Sequence, residues 1–431
     1  MNVYDSNRIY DIAKNIKYEK TEDLKNADCY VLNTCHIREK AREKVYHDIG
    51  RVKKEFKNKK KPIVIITGCV AQAEGEILLE KEKYIDAVVG PQSYHLIKNI
   101  LLEIEKKNNK INLTDFNVIE KFDNLNYVNN SNTKISSYLT IQEGCDKFCK
   151  FCVVPYTRGP EYSRSIDELI KETNQLVNNG TREIILLGQN VNAYNFKNKR
   201  LSDLILEISK IKEIKRIRYT TSHPLDFSED LILAHQNIKK LMPLIHLPVQ
   251  SGSNKILKNM NRKHTIEMYM DLIKKIKKVN ESIEFSSDFI IGYPGENDKD
   301  FKASIEVMKS VKYINSYSFL FSPRPGTPAA KMNLTNETIA KERLTFFQKI
   351  SKDIKMNYRK SLFNKKCLVM FENKLKDKSG FFGRDEFLNP VIVKSRSNLI
   401  GKILNVKILA GNQNTLFGEV DQKIEKEEFA A

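Results

Sequence analysis

From residue 136 to about residue 330, a short apolar run and an amphipathic helical stretch follow each other repeatedly, and nothing else in this 431-residue chain limits its fold as strongly. Residues 137–142, 183–188, 215–220, 243–249, 284–291 and 316–321 are strand-like: they are rich in Ile, Leu, Val, Phe and Tyr and too short for buried helices. Between them, 166–178, 201–211, 229–236, 265–279 and 299–311 carry apolar residues at helical spacing. Strands joined through helices run parallel, with right-handed crossovers. Six such units predict an open, partial (β/α)6 barrel with its chemistry at the C-terminal ends of the strands.

The first of those ends carries Cys145-Asp-Lys-Phe-Cys149-Lys-Phe-Cys152. Three thiolates this close can each hold one iron of a [4Fe–4S] cluster. The fourth iron then stays open and can chelate a substrate. A zinc knuckle would need a fourth ligand; the loop has no His, and the nearest downstream is His223. The other strand ends are polar or Gly-rich: Gly188-Gln189-Asn190, Ser222-His223-Pro224, Gln250-Ser251-Gly252-Ser253, and Asp288 with Gly292-Tyr-Pro-Gly295-Glu296. Each is either a ligand contact or a turn closing a βα loop. His223 and His246 read as core residues of their strands, without a catalytic role. Arg158 and Arg164 flank the cysteine loop, suited to bind a phosphate or carboxylate bidentately or to neutralise a cluster.

Residues 1–105 predict an α/β domain with a doubly wound parallel sheet. Helices are expected at 5–17 (Asp5 or Ser6 as N-cap), 38–57, 73–82 and 94–105, and strands at 29–33, 63–67 and 87–89. Cys35 and Cys69 follow two of these strands, hence one edge of the sheet. Cys29 begins its strand, roughly 20 Å from Cys35, and reads as a small buried apolar residue. Residues 106–135 read as a connector with a possible strand at 117–120, and 136–362 as the barrel domain. Beyond a helix at 335–360, alternation at 367–371, 380–384, 390–393 and 403–409 predicts a small antiparallel β-barrel over 363–426, of the kind that binds oligonucleotides. Cys367 lies in its core, and the tail from Asp421 is frayed.

The formal charge is +19, from 73 Lys+Arg against 54 Asp+Glu. That favours a polyanionic partner, although runs such as Lys57–Lys61 read as solvated loop. No apolar run is long enough to span a bilayer, and the N-terminus has no signal pattern, so the expectation is a cytoplasmic protein. Seven cysteines there point to metal or catalysis rather than disulfides.

Cys-x3-Cys-x2-Cys after a strand, with aromatics between the cysteines, resembles the radical S-adenosylmethionine (SAM) superfamily. Asn33-Thr-Cys35, Gly68-Cys69-Val-Ala-Gln72, the Cys145 loop and the C-terminal barrel together resemble the methylthiotransferase family. Within it, the stretches Cys35-His-Ile-Arg-Glu-Lys-Ala-Arg-Glu-Lys-Val-Tyr, Phe151-Cys-Val-Val-Pro-Tyr-Thr-Arg-Gly and His246-Leu-Pro-Val-Gln-Ser-Gly-Ser-Asn-Lys are closest to the branch acting on tRNA isopentenyladenosine. The resemblance implies a radical SAM core, a C-terminal TRAM domain and two [4Fe–4S] clusters. Cys145, Cys149 and Cys152 would hold the SAM-binding cluster. Cys35 and Cys69 would be two of three ligands of the second. The SAM contacts would come from Gly188, Gln189, Asn190, Gln250, Ser251, Asp288 and Gly292, with no catalytic residues beyond the cluster ligands. The implied reaction converts N6-isopentenyladenosine next to the anticodon to its 2-methylthio derivative. The implied partners are a tRNA anticodon arm, an electron donor protein and a sulfur donor, with the enzyme a monomer. The family pattern places Gly-Cys-Gln before Met-Asn, whereas this sequence opens at Met1-Asn2. The expectation is therefore that the first strand and the third ligand of the second cluster are missing. The alternatives are a relative acting on threonylcarbamoyl-adenosine or on a ribosomal protein, or a non-catalytic Fe–S RNA-binding protein.

Overall fold

The computed structural model describes residues 1–35, 39–107, 109–115, 121–122, 134–377 and 379–420. In the N-terminal part, α1 (Asn2–Lys14), β1 (Cys29–Thr34), α2 (Glu39–Glu55), β2 (Ile63–Gly68), α3 (Cys69–Lys81), β3 (Ala87–Val89), α4 (Ile97–Lys107) and β4 (Ile111–Leu113) follow in order. The sheet is parallel with sequential order β1-β2-β3-β4. Successive side chains of β2 and β3 face opposite sides. Val64, Ile66 and Val88 pack with Val45, Ile49, Val70 and Leu78 of α2 and α3. Ile65, Ala87 and Val89 pack with Ile9, Ile97 and Leu101 of α1 and α4. Cys29 lies among the latter group, and burial pushes its thiol up to about 12.

Two expectations change here. α1 starts at Asn2, and Asp5 is a buried residue inside the helix rather than its cap. β4 lies within the stretch read as a connector and extends the sheet by one strand; the expected strand at 117–120 falls outside the described residues.

The central part contains β5 (Ser136–Thr140), α5 (Val154–Arg158), α6 (Ile166–Asn178), β6 (Glu183–Leu187), α7 (Leu201–Ser209), β7 (Arg216–Thr220), α8 (Glu229–Asn237), β8 (Leu244–His246), α9 (Asn254–Asn259), α10 (Ile266–Val279), β9 (Glu284–Ile291), α11 (Asp298–Val311) and β10 (Asn315–Leu320). Three parallel strands run in the order β7-β6-β5 and three in the order β8-β9-β10. A parallel bridge between Ile217 and Leu241 joins the two sets. β5 and β10 stay unpaired with each other among the described residues, so the barrel is open on that side. One continuous apolar core, including Leu139, Ile184, Ile217, Ile245 and Phe289, lies between these strands and their helices. Side-chain caps from Ser165, Ser253, Thr265 and Asn297 start α6, α9, α10 and α11.

The long helix α12 (Glu337–Ser361) packs along β10 and leads into a closed barrel of β11 (Lys366–Lys374), β12 (Phe381–Arg384), β13 (Pro390–Val393), β14 (Ile403–Gly411) and β15 (Leu416–Val420). β15 was not expected, and its pairing with β13 is parallel, so the barrel is not wholly antiparallel. Cys367 sits in β11, partly buried against the barrel core. Buried Arg216 and Arg218 of β7 anchor this barrel: Arg216 donates to the carbonyls of Leu368 (2.7 Å) and Arg384 (2.9 Å), and Arg218 to those of Asp385 (3.0 Å) and Glu386 (2.7 Å).

Candidate iron–sulfur and substrate site

The cysteine loop leaves β5 and is cinched at its base, where Gln142–Glu143 pairs with Tyr162–Ser163. Gly144 turns the chain with φ +77°, and a Cβ there would lie 1.8 Å from the Pro160 carbonyl oxygen, so only glycine fits. The Cys145 amide donates to the Gly159 carbonyl (3.2 Å) and the Cys152 amide to that of Cys149 (2.9 Å). Lys147 pairs with Asp226 at 2.7 Å, tying the loop to the end of β7. The Lys150 amide donates to the Met260 carbonyl and its carbonyl accepts from Ala329.

Burial pushes the thiols of Cys145 up to about 11 and Cys152 up to about 12, and the sulfurs of Cys149 and Cys145 contribute to the rise at Cys152. Among the described residues no three His, Cys, Asp or Glu side chains converge on a single metal ion; a cubane instead takes one thiolate per iron. Iron binding has to displace the thiol protons. Cys149, the buried member, accepts at Sγ from Arg262 Nη1 at 3.7 Å, and Arg262 Nη2 donates to the Pro248 carbonyl at 2.6 Å. A buried cation beside the sulfur offsets the charge that a thiolate would carry there. A soft thiolate set on one braced loop fits a [4Fe–4S] cluster.

His223 stays a structural residue: its Nδ1 accepts from the Leu225 amide, and burial together with Arg262 and His264 holds its pKa far below the usual imidazole range. Arg158 and Arg164 do not present free guanidinium groups to a ligand. Arg158 is fully buried. Its Nη2 donates to Asp5 Oδ2 at 2.9 Å, its Nη1 lies 3.6 Å from Glu143, and its Nε donates to Cys69 Sγ at 3.4 Å. Arg164 pairs with Glu172 at 2.8 Å and donates to the Thr140 carbonyl. Lys121 completes the first group, 2.5 Å from Glu143 and 4.0 Å from Asp5, and Arg8 joins Glu172 in the second. Sequence reading missed these networks, whose members are up to 164 residues apart.

Cys35 and Cys69 follow Thr34 and Gly68, which are direct partners in the β1–β2 register. Gly68 has φ +91°, and a Cβ would meet the Thr34 carbonyl oxygen at 2.2 Å. The two cysteine-bearing chain ends approach this closely only because residue 68 is glycine. The sheet edge faces the cysteine loop, because Arg158 of that loop touches Cys69.

The expected SAM contacts divide. Gln189 Oε1 accepts from the Gly144 amide at 2.8 Å, bracing the turn into the cysteine loop. Asn190 donates to Glu161 and to Asp226 at 2.7 Å. Gly188 packs against Gln142, where a Cβ would lie 2.6 Å from its Oε1. Gln250 has φ +73° and bridges to Phe289. Ser251 is buried against Ser253 and Ser304, and the Gly292 amide donates to Glu296, while a Cβ on Gly292 would lie 2.7 Å from that of Ala340. Asp288 alone of the seven lines the large cavity.

That cavity, about 790 Å³, runs through the open barrel, lined by Cys35, strand residues including Thr220, His246, Ser286, Asp288 and Tyr317, and, on the side of α12 and the small barrel, Lys355, Arg359 and Pro390. His246 is not simply core: Nδ1 lies 2.9 Å from Ser286 Oγ and Nε2 3.4 Å from Asp288. Among the described residues no helix is long and apolar enough to cross a membrane.

The Radical SAM superfamily profile matches residues 139–308 and the profile described as "Uncharacterized protein family UPF0004" matches residues 1–90. A tRNA-2-methylthio-N(6)-dimethylallyladenosine synthase of Pelagibacter ubique (strain HTCC1062) is 56% identical over 99% of this chain and 96% of its own length. Proteins of the same name from Rickettsia akari (strain Hartford) and Wolbachia pipientis subsp. Culex pipiens (strain wPip) are 45% and 46% identical, each over 97% of both chains. Among solved structures, a radical S-adenosylmethionine methyltransferase from Kitasatospora setae shares the fold, with a TM-score of 0.57 at 13% identity over 76% of this chain and 72% of that one.

Proposed function

The chain belongs to the family of tRNA-2-methylthio-N(6)-dimethylallyladenosine synthases, and from that premise we propose how its residues divide the work. It is a radical SAM enzyme and a tRNA methylthiotransferase, dependent on a [4Fe–4S] cluster and SAM. In our reading, Cys145, Cys149 and Cys152 hold the cluster that binds SAM, and Cys35 and Cys69 serve a second cluster. One observation carries this reading: Arg158, at the end of the helix that follows the cysteine loop, donates to Cys69 Sγ at 3.4 Å, so the segment leaving the first thiol site contacts the second.

When bound, the cluster and SAM supply the one-electron chemistry that breaks an adenine C2–H bond, which side-chain acids and bases cannot do. The chain's own residues bind and position. Arg262 faces Cys149 with a positive charge. Gln189 and Gly144 fix the turn that aims the loop. Thr34 and Gly68 align Cys35 and Cys69 above the barrel, where Cys35 lines the cavity. The substrate is N6-isopentenyladenosine next to the anticodon, and it must leave its stack to reach that cavity. Asp288, held by His246 at its rim, is the expected SAM contact best placed to meet a ligand. We further assign an electron donor protein, a sulfur donor, a cytoplasmic location and a monomeric state to this function.

The test is anaerobic reconstitution of single variants. Cys149→Ala should lose SAM cleavage, measured as 5′-deoxyadenosine release, together with the iron held by that site. Cys69→Ala should lose methylthio product, measured by nucleoside mass spectrometry, and still cleave SAM. Full methylthiolation by Cys69→Ala would overturn the assignment of the second site.

A further inference from the structure

Lys355 and Arg359 stand four residues apart on α12 and line the same wall of the barrel cavity. Like charges at this spacing repel, and no carboxylate pairs with either among the described residues. Arg359 is 2% exposed; one guanidinium nitrogen donates to the Asn412 carbonyl at 2.7 Å, and its Nε has no partner. The nearby acids are engaged elsewhere: Asp288 with His246, Glu284 with Lys277, and Asp385 with the amides of Phe387 and Asn389. On β10, which α12 covers, Tyr317 is 52% exposed and lines the same cavity. β10 is also the edge strand at the open side of the barrel. Two unpaired cations and an exposed aromatic ring thus share a cavity that opens toward the small barrel.

We propose that Lys355 and Arg359 form a seat for one phosphodiester of the RNA strand, with Tyr317 offering its ring to an adjoining base. The proposal rests on tRNA being the substrate and adds where the strand is gripped. A phosphodiester supplies a negative charge for these cations, its oxygens accepting from Lys355 Nζ while the buried Arg359 guanidinium adds its charge behind that contact. An aromatic face beside a cationic track is how single-stranded nucleic acid is commonly held.

The experiment uses the reconstituted holoenzyme and an anticodon stem-loop containing N6-isopentenyladenosine. Lys355→Ala removes a half-buried side chain and keeps a good helix former. It should weaken RNA binding and lower the slope of log Kd against log salt by about 0.7, the share of one single-strand phosphate. Tyr317→Ala should weaken binding roughly tenfold with the slope kept, because stacking carries no counterion release. Neutral methylphosphonates placed one at a time along the loop should include one position that weakens wild type and has no further effect on Lys355→Ala. An unchanged salt slope in Lys355→Ala, or additive losses at every methylphosphonate position, would overturn the proposal. So would a tenfold loss of SAM affinity with RNA binding intact, which would assign the cations to the SAM carboxylate. Failure of wild type to bind the stem-loop is a different result and would remove the RNA reading itself.

Discussion

Replacing Arg158 by Met should release α1 from the cysteine loop. Arg158 faces Asp5 at 2.9 Å and Glu143 at 3.6 Å, and all three side chains are almost fully buried. At an effective dielectric of about 20, each contact is worth about 5 kcal/mol of Coulomb attraction, much of it offset by the desolvation of the charges. The group Asp5, Glu143, Arg158 and Lys121 is neutral as it stands; without Arg158 it keeps one uncompensated negative charge. Removing one partner of a buried pair costs about 3–5 kcal/mol. Burial alone would raise the Asp5 carboxyl, yet Arg158 and Lys121 hold it below the usual carboxylate range, so the loss falls first on the helix that carries Asp5. Native-state hydrogen exchange followed by mass spectrometry reads this directly. Amides of α1 should exchange at least about a hundredfold faster, while those of β6 stay protected. Adding Asp5→Asn restores neutrality and should recover more than half of the loss. Unchanged α1 exchange in Arg158→Met, or no recovery in the double variant, would refute the reasoning.

Three further outcomes are expected. Gly68→Ala forces a Cβ against the Thr34 carbonyl at a left-handed φ; it should separate Cys35 from Cys69 and cut methylthio product far more than SAM cleavage, as quantified by product ratios. Arg262→Met removes a positive charge from Cys149 Sγ, which favours the oxidised cluster. Its potential should fall by about 60 mV or more, a tenfold shift for one electron, in an EPR-monitored redox titration. Burial holds His235 down to about 3, with its Nε2 2.7 Å from the Tyr219 hydroxyl. A depressed imidazole gives stability that is present above about pH 6.5 and is lost as pH falls toward 3. His235→Gln should therefore be about 3 kcal/mol less sensitive between pH 6.5 and 4, seen in urea midpoints across that range.

Much of the barrel was legible because its strands are apolar runs of the right length. The span 284–291 and the helix 166–178 coincide with the structure residue for residue. The edge position of Cys35 and Cys69 followed from parallel pairing alone, and the Thr34–Gly68 register agrees with it. What failed was tertiary. Ile111–Leu113 is three residues long among Asn and Lys, and only its pairing with β3 makes it a strand. Leu416–Val420 holds Gly and Glu and is a strand because two neighbours flank it. Asp5 looked like a cap since its partner Arg158 is 153 residues away. Lys355 and Arg359 fall in the expected helix at 335–360, and only the cavity wall sets them apart from its other basic residues.

This chain is expected to convert isopentenyladenosine in tRNA to its 2-methylthio form by using the Cys145–Cys149–Cys152 site. The most direct test is nucleoside mass spectrometry of tRNA carrying the isopentenyl group, incubated anaerobically with the reconstituted protein, SAM, sulfide and a low-potential reductant. The wild type should make a product heavier by one methylthio group replacing one hydrogen, and Cys149→Ala should make none. Unmodified tRNA from a wild-type protein that carries its iron and cleaves SAM, or product formed by Cys149→Ala, would contradict this expectation.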